Sequence, residues 1–151
     1  MPNYVGAEHE FHDADFVRGW AKRFVPTAPR LRLFDLILEQ IAKPGVPGAH
    51  VVELGIGPGY MARHILERNG AVTYEGVDFS DEMFDIARAT LGDLMGRVTL
   101  TKADFLDAAW PSKLSRQPGA MISTWALHDL GSEDAVAFND HVPDLHVVEA
   151  F

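Results

Sequence analysis

The sequence predicts an α/β fold, a mostly parallel sheet with helices on both faces. Three observations carry this. Short apolar runs alternate with stretches of helical periodicity, and each run is followed by a crossover. The first run, 51–54, reads as a strand covered on both faces. A glycine-rich turn, Gly55-Ile56-Gly57-Pro58-Gly59, then leads into a helical pattern at Tyr60. Strand, tight loop and helix N-terminus together suit a nucleotide-like ligand. Glycines let it lie against the backbone, and the helix start offers unpaired N–H groups.

The elements follow in order. Phe16, Val17, Trp20, Ala21 and Phe24 form an apolar helical stripe that Pro26 ends. Thr27 is placed to cap a second helix, with Pro29 in its first turn and Leu31, Phe34, Ile37, Leu38 and Ile41 on its buried face. A turn-rich loop, 43–48, enters the first strand. The helix over 59–68 turns Met61, Ile65 and Leu66 inward, and Asn69-Gly70 reads as a left-handed stop. A second strand, 71–77, ends at Asp78. Ser80 caps the next helix, with Asp81 and Glu82 in its first turn and Met83, Ile86, Ala87 and Leu91 packing. A third strand covers 97–101 and stops at Ala103-Asp104-Phe105. A polar connection over 106–118 holds one helical turn, and a fourth strand covers 120–124. A short helix over 132–139 and a fifth strand over 145–150 complete the reading.

Composition narrows the function classes. A chain of 151 residues is one domain on size, with 47% hydrophobic and 23% charged residues. Residues 1–48 form a helical cover and 49–151 the α/β core. The formal charge of −9 disfavours a nucleic-acid partner. With no cysteine, disulfides, thiolate catalysis and cysteine zinc sites are excluded. No signal peptide or membrane-length apolar run is evident, so a cytoplasmic protein without a membrane partner is expected. Glu8, His9, Glu10 and His12 could suggest a metal site; a polar N-terminus explains them better, and no metal is expected.

The glycine loop also discriminates between ligands. A nicotinamide loop wants a third glycine where Tyr60 stands, and a P-loop wants Lys-Ser/Thr after its glycines. Glu53-Leu54-Gly55-Ile56-Gly57-Pro58-Gly59 instead resembles the first motif of class I S-adenosylmethionine-dependent methyltransferases. Asp78-Phe79-Ser80-Asp81-Glu82-Met83, Ala103-Asp104-Phe105 and Ser123-Thr124-Trp125-Ala126-Leu127-His128 resemble the motifs that follow, in order and in register over 51–130.

The resemblance implies a Rossmann-like sheet and S-adenosyl-L-methionine as cofactor. It implies that Gly55, Gly57 and Gly59 make the cofactor loop, with Glu53 beneath it near the methionine end. It places Asp78 at the ribose hydroxyls, Phe79 at the adenine face and Met83 on the adjoining helix. It places Asp104 and Phe105 at the adenine edge, and Thr124 and Trp125 beside the methionine arm. Blander readings stand beside these. Asp78 and Asp104 are also turn caps, Phe79 and Phe105 also core, and Trp20 and Phe24 packing residues rather than acceptor-pocket walls. His128 is the candidate catalytic base, an imidazole near the reaction centre, against the structural role a histidine there more often has.

The implied activity is methyl transfer to a small-molecule acceptor by in-line displacement. The family sheet has seven strands in the order 3-2-1-4-5-7-6, and this sequence supplies four to five. Three explanations stay open: a C-terminally truncated product, a homodimer or other partner completing the sheet, or a non-catalytic cofactor-binding module. A nicotinamide oxidoreductase is a weaker alternative, because of Tyr60.

Overall fold

The computed structural model describes residues 10–43, 50–124 and, as backbone, 147–150. Four helices and five strands carry it: α1 (Ala14–Arg23), α2 (Ala28–Ile41), β1 (His50–Leu54), α3 (Tyr60–Arg68), β2 (Thr73–Asp78), α4 (Asp81–Leu91), β3 (Val98–Lys102), β4 (Ala120–Thr124) and β5 (Val147–Ala150). The strands form one sheet in the order β3-β2-β1-β4-β5. Every neighbouring pair is parallel. The chain steps outward from β1 to β3, then returns to the other side of β1 as β4. That reversal splays the connections leaving β1 and β4 and opens a crevice at their C-terminal ends. The glycine loop leaves β1 at that point.

Local chemistry sets the helix ends. Asp13 caps α1, its Oδ1 accepting from the Phe16 N–H at 2.7 Å. Ser80 caps α4, its Oγ accepting from the Met83 N–H at 3.2 Å. Thr27 stands at the N-cap of α2 but makes no side-chain cap bond, contrary to expectation; Pro29 fits its first turn. The left-handed stop expected at Asn69-Gly70 is also absent. Asn69 is extended, with φ −132°. The guanidinium of Arg97 takes over part of that capping, donating to the carbonyls of Leu66, Asn69 and Val72 at 2.5, 2.9 and 3.2 Å. With those acceptors met by a side chain, the turn needs no left-handed glycine. The turn therefore runs on, and β2 begins at Thr73 rather than 71. Leu31, expected on the buried face of α2, is 39% exposed.

The sheet buries both faces through separate clusters. On one, α2, α3 and α4 pack Phe34, Ile37, Met61, Ile65 and Phe84 against Val51, Tyr74 and Ile122. His64 of α3 is buried there, its Nε2 2.6 Å from Asp35 Oδ1 of α2. On the other face Val52, Leu54, Val77 and Met121 meet Trp110, from a 3₁₀ turn at Trp110–Lys113 inside the 106–118 connection. Among the described residues no helix is long and apolar enough to cross a membrane.

A polar network is sealed into this second region. The fully buried Glu75 carboxylate accepts from Thr101 Oγ1 at 2.5 Å, Ser115 Oγ at 2.6 Å and the Ser115 N–H at 2.9 Å. His50 Nε2 lies 3.1 Å away and His50 Nδ1 2.9 Å from Thr73 Oγ1. Burial alone would raise the Glu75 pKa, but the bonds from Ser115, Thr101 and His50 outweigh it and hold the group below 4.5. Its contribution is thus present above the unfolded value and lost as pH falls through the lower, folded one. Glu75→Gln should cost about 1–3 kcal/mol at neutral pH and flatten the acid limb of the stability curve. Urea unfolding across the acid range measures both, and identical acid limbs would refute the assignment.

Candidate functional site

The loop between β1 and α3 is built on left-handed backbone. Gly55, Gly57 and Gly59 have φ of 76°, 51° and 84°, values that other residues adopt only at a cost. The N–H groups of Gly55 and Ile56 both donate to the Val77 carbonyl, at 2.8 and 3.1 Å, which locks the loop onto the end of β2. The three glycines differ in surroundings. A Cβ on Gly59 would touch Ala87 of α4 at 3.4 Å, so this glycine seats the loop against a helix. Among the described residues a Cβ on Gly57 would meet nothing within 4 Å, so the loop's crest has open space beside it. Gly59 is also the N-cap of α3 and has no side-chain cap bond, leaving the helix start available to a ligand.

Two buried carboxyl groups flank the loop. Asp78, at the end of β2 and 8% exposed, accepts from the Gly57 N–H at 3.0 Å through Oδ2 and from the Phe79 and Ser80 N–H groups at 2.8 and 3.2 Å through Oδ1. It serves as the turn cap and also ties the glycine loop to the start of α4. Burial raises its pKa; the three N–H bonds and the charge of His12 act against the rise. Glu53, beneath the loop in β1 and 2% exposed, accepts from the Tyr74 hydroxyl at 2.7 Å. Its pKa is pushed up to about 8, first by burial and also by Asp78, with the Tyr74 bond opposing.

The rim comes from the remaining motifs. The Ala103 N–H donates to the Asp78 carbonyl at 3.0 Å, which brings the loop after β3 beside Asp78. Asp104 Oδ1 accepts from the Leu106 N–H at 2.9 Å, so Asp104 is a turn cap here. Phe105 meets Trp110 edge-on at 5.4 Å and packs against the second core cluster. Phe79 lies among Phe11 and His12, at 6.3 and 5.4 Å between centroids. Met83 is buried in α4. Thr124 ends β4, half-buried, one residue after Ser123, whose Oγ donates to the Leu54 carbonyl at 2.9 Å. Trp125 and His128 lie outside the described residues. Trp20 and Phe24 stack on each other with 4.0 Å between ring centroids.

The N-terminal segment is attached to this site directly. The Tyr60 hydroxyl donates to the Ala21 carbonyl of α1 at 3.1 Å. Ser80 Oγ donates to the Phe11 carbonyl. Sequence reasoning missed Tyr74, Gly76 and Phe11, and gave Ser123, though it opens the fourth motif, no role of its own. Gly76 carried a readable signal, an interior-strand glycine, which often marks a close approach. A Cβ there would lie 2.2 Å from Cδ1 and 2.9 Å from Cβ of Ile56 in the loop.

Comparison with known proteins agrees with this geometry. The family model described as a methyltransferase domain matches residues 51–144. No curated protein matches the sequence. Among solved structures, an O-methyltransferase family protein from Burkholderia thailandensis superposes with a TM-score of 0.67 at 23% identity, over 93% of this chain and 41% of its own. A candidate S-adenosyl-L-methionine-dependent methyltransferase from Methanococcus maripaludis gives 0.63 at 16% identity, over 90% of this chain and 61% of its own. The cyclase SpnF gives 0.56 at 24% identity, over 72% of this chain and 38% of its own. The chain thus spans less than two thirds of each, and these likenesses establish the fold.

Two outcomes are expected from the site. Gly76→Ala should destabilise the chain by about 1–3 kcal/mol through overpacking against Ile56, read from urea unfolding; an unchanged midpoint would contradict the contact. Glu53 has the opposite pH sign to Glu75. The folded chain keeps its proton between 4.5 and about 8, where the unfolded chain gives it up. Stability is undiminished below 4.5, declines as pH rises, and levels off past about 8. Glu53→Gln should flatten that decline in the ligand-free chain, and parallel curves would refute the assignment.

Proposed function

Because the chain belongs to the methyltransferase-domain family, we propose that it binds S-adenosyl-L-methionine at the 55–59 loop and transfers its methyl group to a small-molecule acceptor. The observation that carries this reading is the open crest at Gly57 between Glu53 and Asp78. Among the described residues no lysine or arginine forms an ion pair with either carboxyl group. Such an acceptor set suits a ligand with positive charge and ribose hydroxyls better than a pyrophosphate, which wants cations and N–H groups.

The cofactor supplies a methyl group on positively charged sulfur, which departs readily as a thioether. What remains for the protein is to bind, align and keep water out. Gly55, Gly57 and Gly59 would let the ligand lie on the backbone. Glu53 would serve the methionine end and Asp78 the ribose. Phe79, Met83, Asp104 and Phe105 would border the adenine, and Thr124 and Trp125 the methionine arm. Asp78 and Asp104 each keep carboxylate acceptor capacity beyond the turn bonds described above. His128 is the candidate base for an acceptor that must lose a proton.

The five-stranded sheet among the described residues favours a second reading, cofactor binding without turnover by this chain alone. A panel of acceptors separates the two. Methyl transfer to any of them rejects the second reading, and binding with no transfer rejects the first.

Calorimetry with S-adenosyl-L-methionine and with its demethylated product tests the cofactor assignment, and failure of both to bind would end it. Asp78→Ala should weaken binding by about 1–3 kcal/mol, the size of lost charged hydrogen bonds. Unchanged affinity would remove Asp78 from the ribose site.

A further inference from the structure

Glu53 and Tyr74 are poorly explained as ordinary core. A carboxyl group 2% exposed usually has a cation or several donors to offset its lost hydration. Glu75, on the same sheet, has such a donor shell; Glu53 accepts one hydroxyl bond, from Tyr74 at 2.7 Å. Its partners across the sheet are Gly76 of β2 and Ile122 of β4, neither of which carries charge. Among the described residues the ionisable groups that act on it are Tyr74 and Asp78, both from β2. Asp78 in turn feels His12 of the N-terminal turn and is held by three backbone N–H groups. Two acidic side chains thus act on each other, one of them bonded to the Gly57 N–H of the glycine loop, without a basic ion-pair partner among the described residues.

We propose that Glu53 and Tyr74 form a charge-sensing pair for the positive end of the ligand, the carboxyl group taking up its negative charge only as that cation arrives. This rests on the cofactor reading given above. In the empty site burial raises the Glu53 pKa to about 8, so the carboxyl group is mostly protonated near neutral pH. A cation brought beside it favours the ionised form, and the proton passes to the buffer. Binding then consumes a cationic ligand and a neutral carboxyl group, and yields a paired carboxylate and one free proton. Tyr74 is a positioning residue. Burial and the neighbouring Glu53 raise the pKa of its own hydroxyl well above 10, so it stays a donor and orients the carboxyl group in either state. The arrangement would discriminate by charge, since a neutral ligand leaves Glu53 protonated and gains nothing from it.

The test is calorimetric titration of the 151-residue chain with S-adenosyl-L-methionine, repeated in buffers of different ionisation enthalpy. The expected result is release of close to one proton per ligand near neutral pH. Affinity should rise by up to roughly tenfold per pH unit below about pH 8 and flatten near it. Glu53→Gln should bind more weakly, with no proton release. Tyr74→Phe should move the midpoint of the pH profile upward, because the hydroxyl bond favours the ionised carboxyl group; a purely structural tyrosine would leave that midpoint in place. Both variants are near-isosteric, and the proton count in the unmodified chain needs neither. PH-independent binding without proton release would overturn the pair and leave the cofactor assignment standing. Absence of binding at every pH would overturn both.

Discussion

The carboxyl group of Asp78 is the joint on which the site depends. Its two oxygens collect N–H groups from two chain segments, Gly57 in the glycine loop and Phe79 and Ser80 at the turn into α4. The backbone carbonyl of the same residue receives Ala103, from the loop after β3. One residue therefore fixes three of the four segments expected at the site. The fourth is held the same way by a smaller group, the Ser123 hydroxyl on the Leu54 carbonyl. A hydrogen bond to a charged group contributes about 1.5–3 kcal/mol, and leaving a buried donor or acceptor unpaired costs about 1–3 kcal/mol. Geometry at the crevice is thus enforced by the penalty for breaking it.

The sheet treats its buried acids in opposite ways, and the contrast separates structure from site. Glu75 has a surplus of donors and a pKa held below 4.5. Glu53 has one donor, a second acid nearby and a pKa near 8. Both side chains are shielded from solvent, so exposure alone does not distinguish them. The donor shell does. Where that shell is complete the charge helps define the fold; where it is sparse the fold carries an unmet electrostatic demand. Such demands accumulate at functional sites because a ligand can answer them.

The strand and helix pattern was legible because periodicity reports burial, and burial here follows the sheet closely. The glycine loop and Asp78 were legible because each residue type answers a local need: left-handed backbone and a polar strand end. What escaped was non-local. Nothing near Tyr74 in sequence indicates that its hydroxyl meets Glu53, 21 residues earlier in the chain. The Asn69-Gly70 stop was misread for a related reason, since Arg97 reaches back to supply the missing cap. Asp104 illustrates the middle ground. Its turn-capping role is local and was one of the two readings open from sequence.

Tyr60 shows how a departure from a motif can carry meaning of its own. In a dinucleotide loop the third glycine allows the helix to pack closely on the strand. Here the side chain is present and points its hydroxyl at the Ala21 carbonyl of α1. Close packing of loop and helix is achieved instead by Gly59 against Ala87 and by Ile56 over Gly76. Position 60 is then released from a steric duty and can anchor a separate element. Ser80 makes the matching attachment at the other side, to Phe11. The N-terminal segment is consequently tied to the first residue of α3 and the cap of α4, the two helix starts that frame the crevice. Any shift of the loop on ligand binding would be felt by α1 through Tyr60, and any displacement of that segment would pull on Ser80 and the turn that holds Asp78.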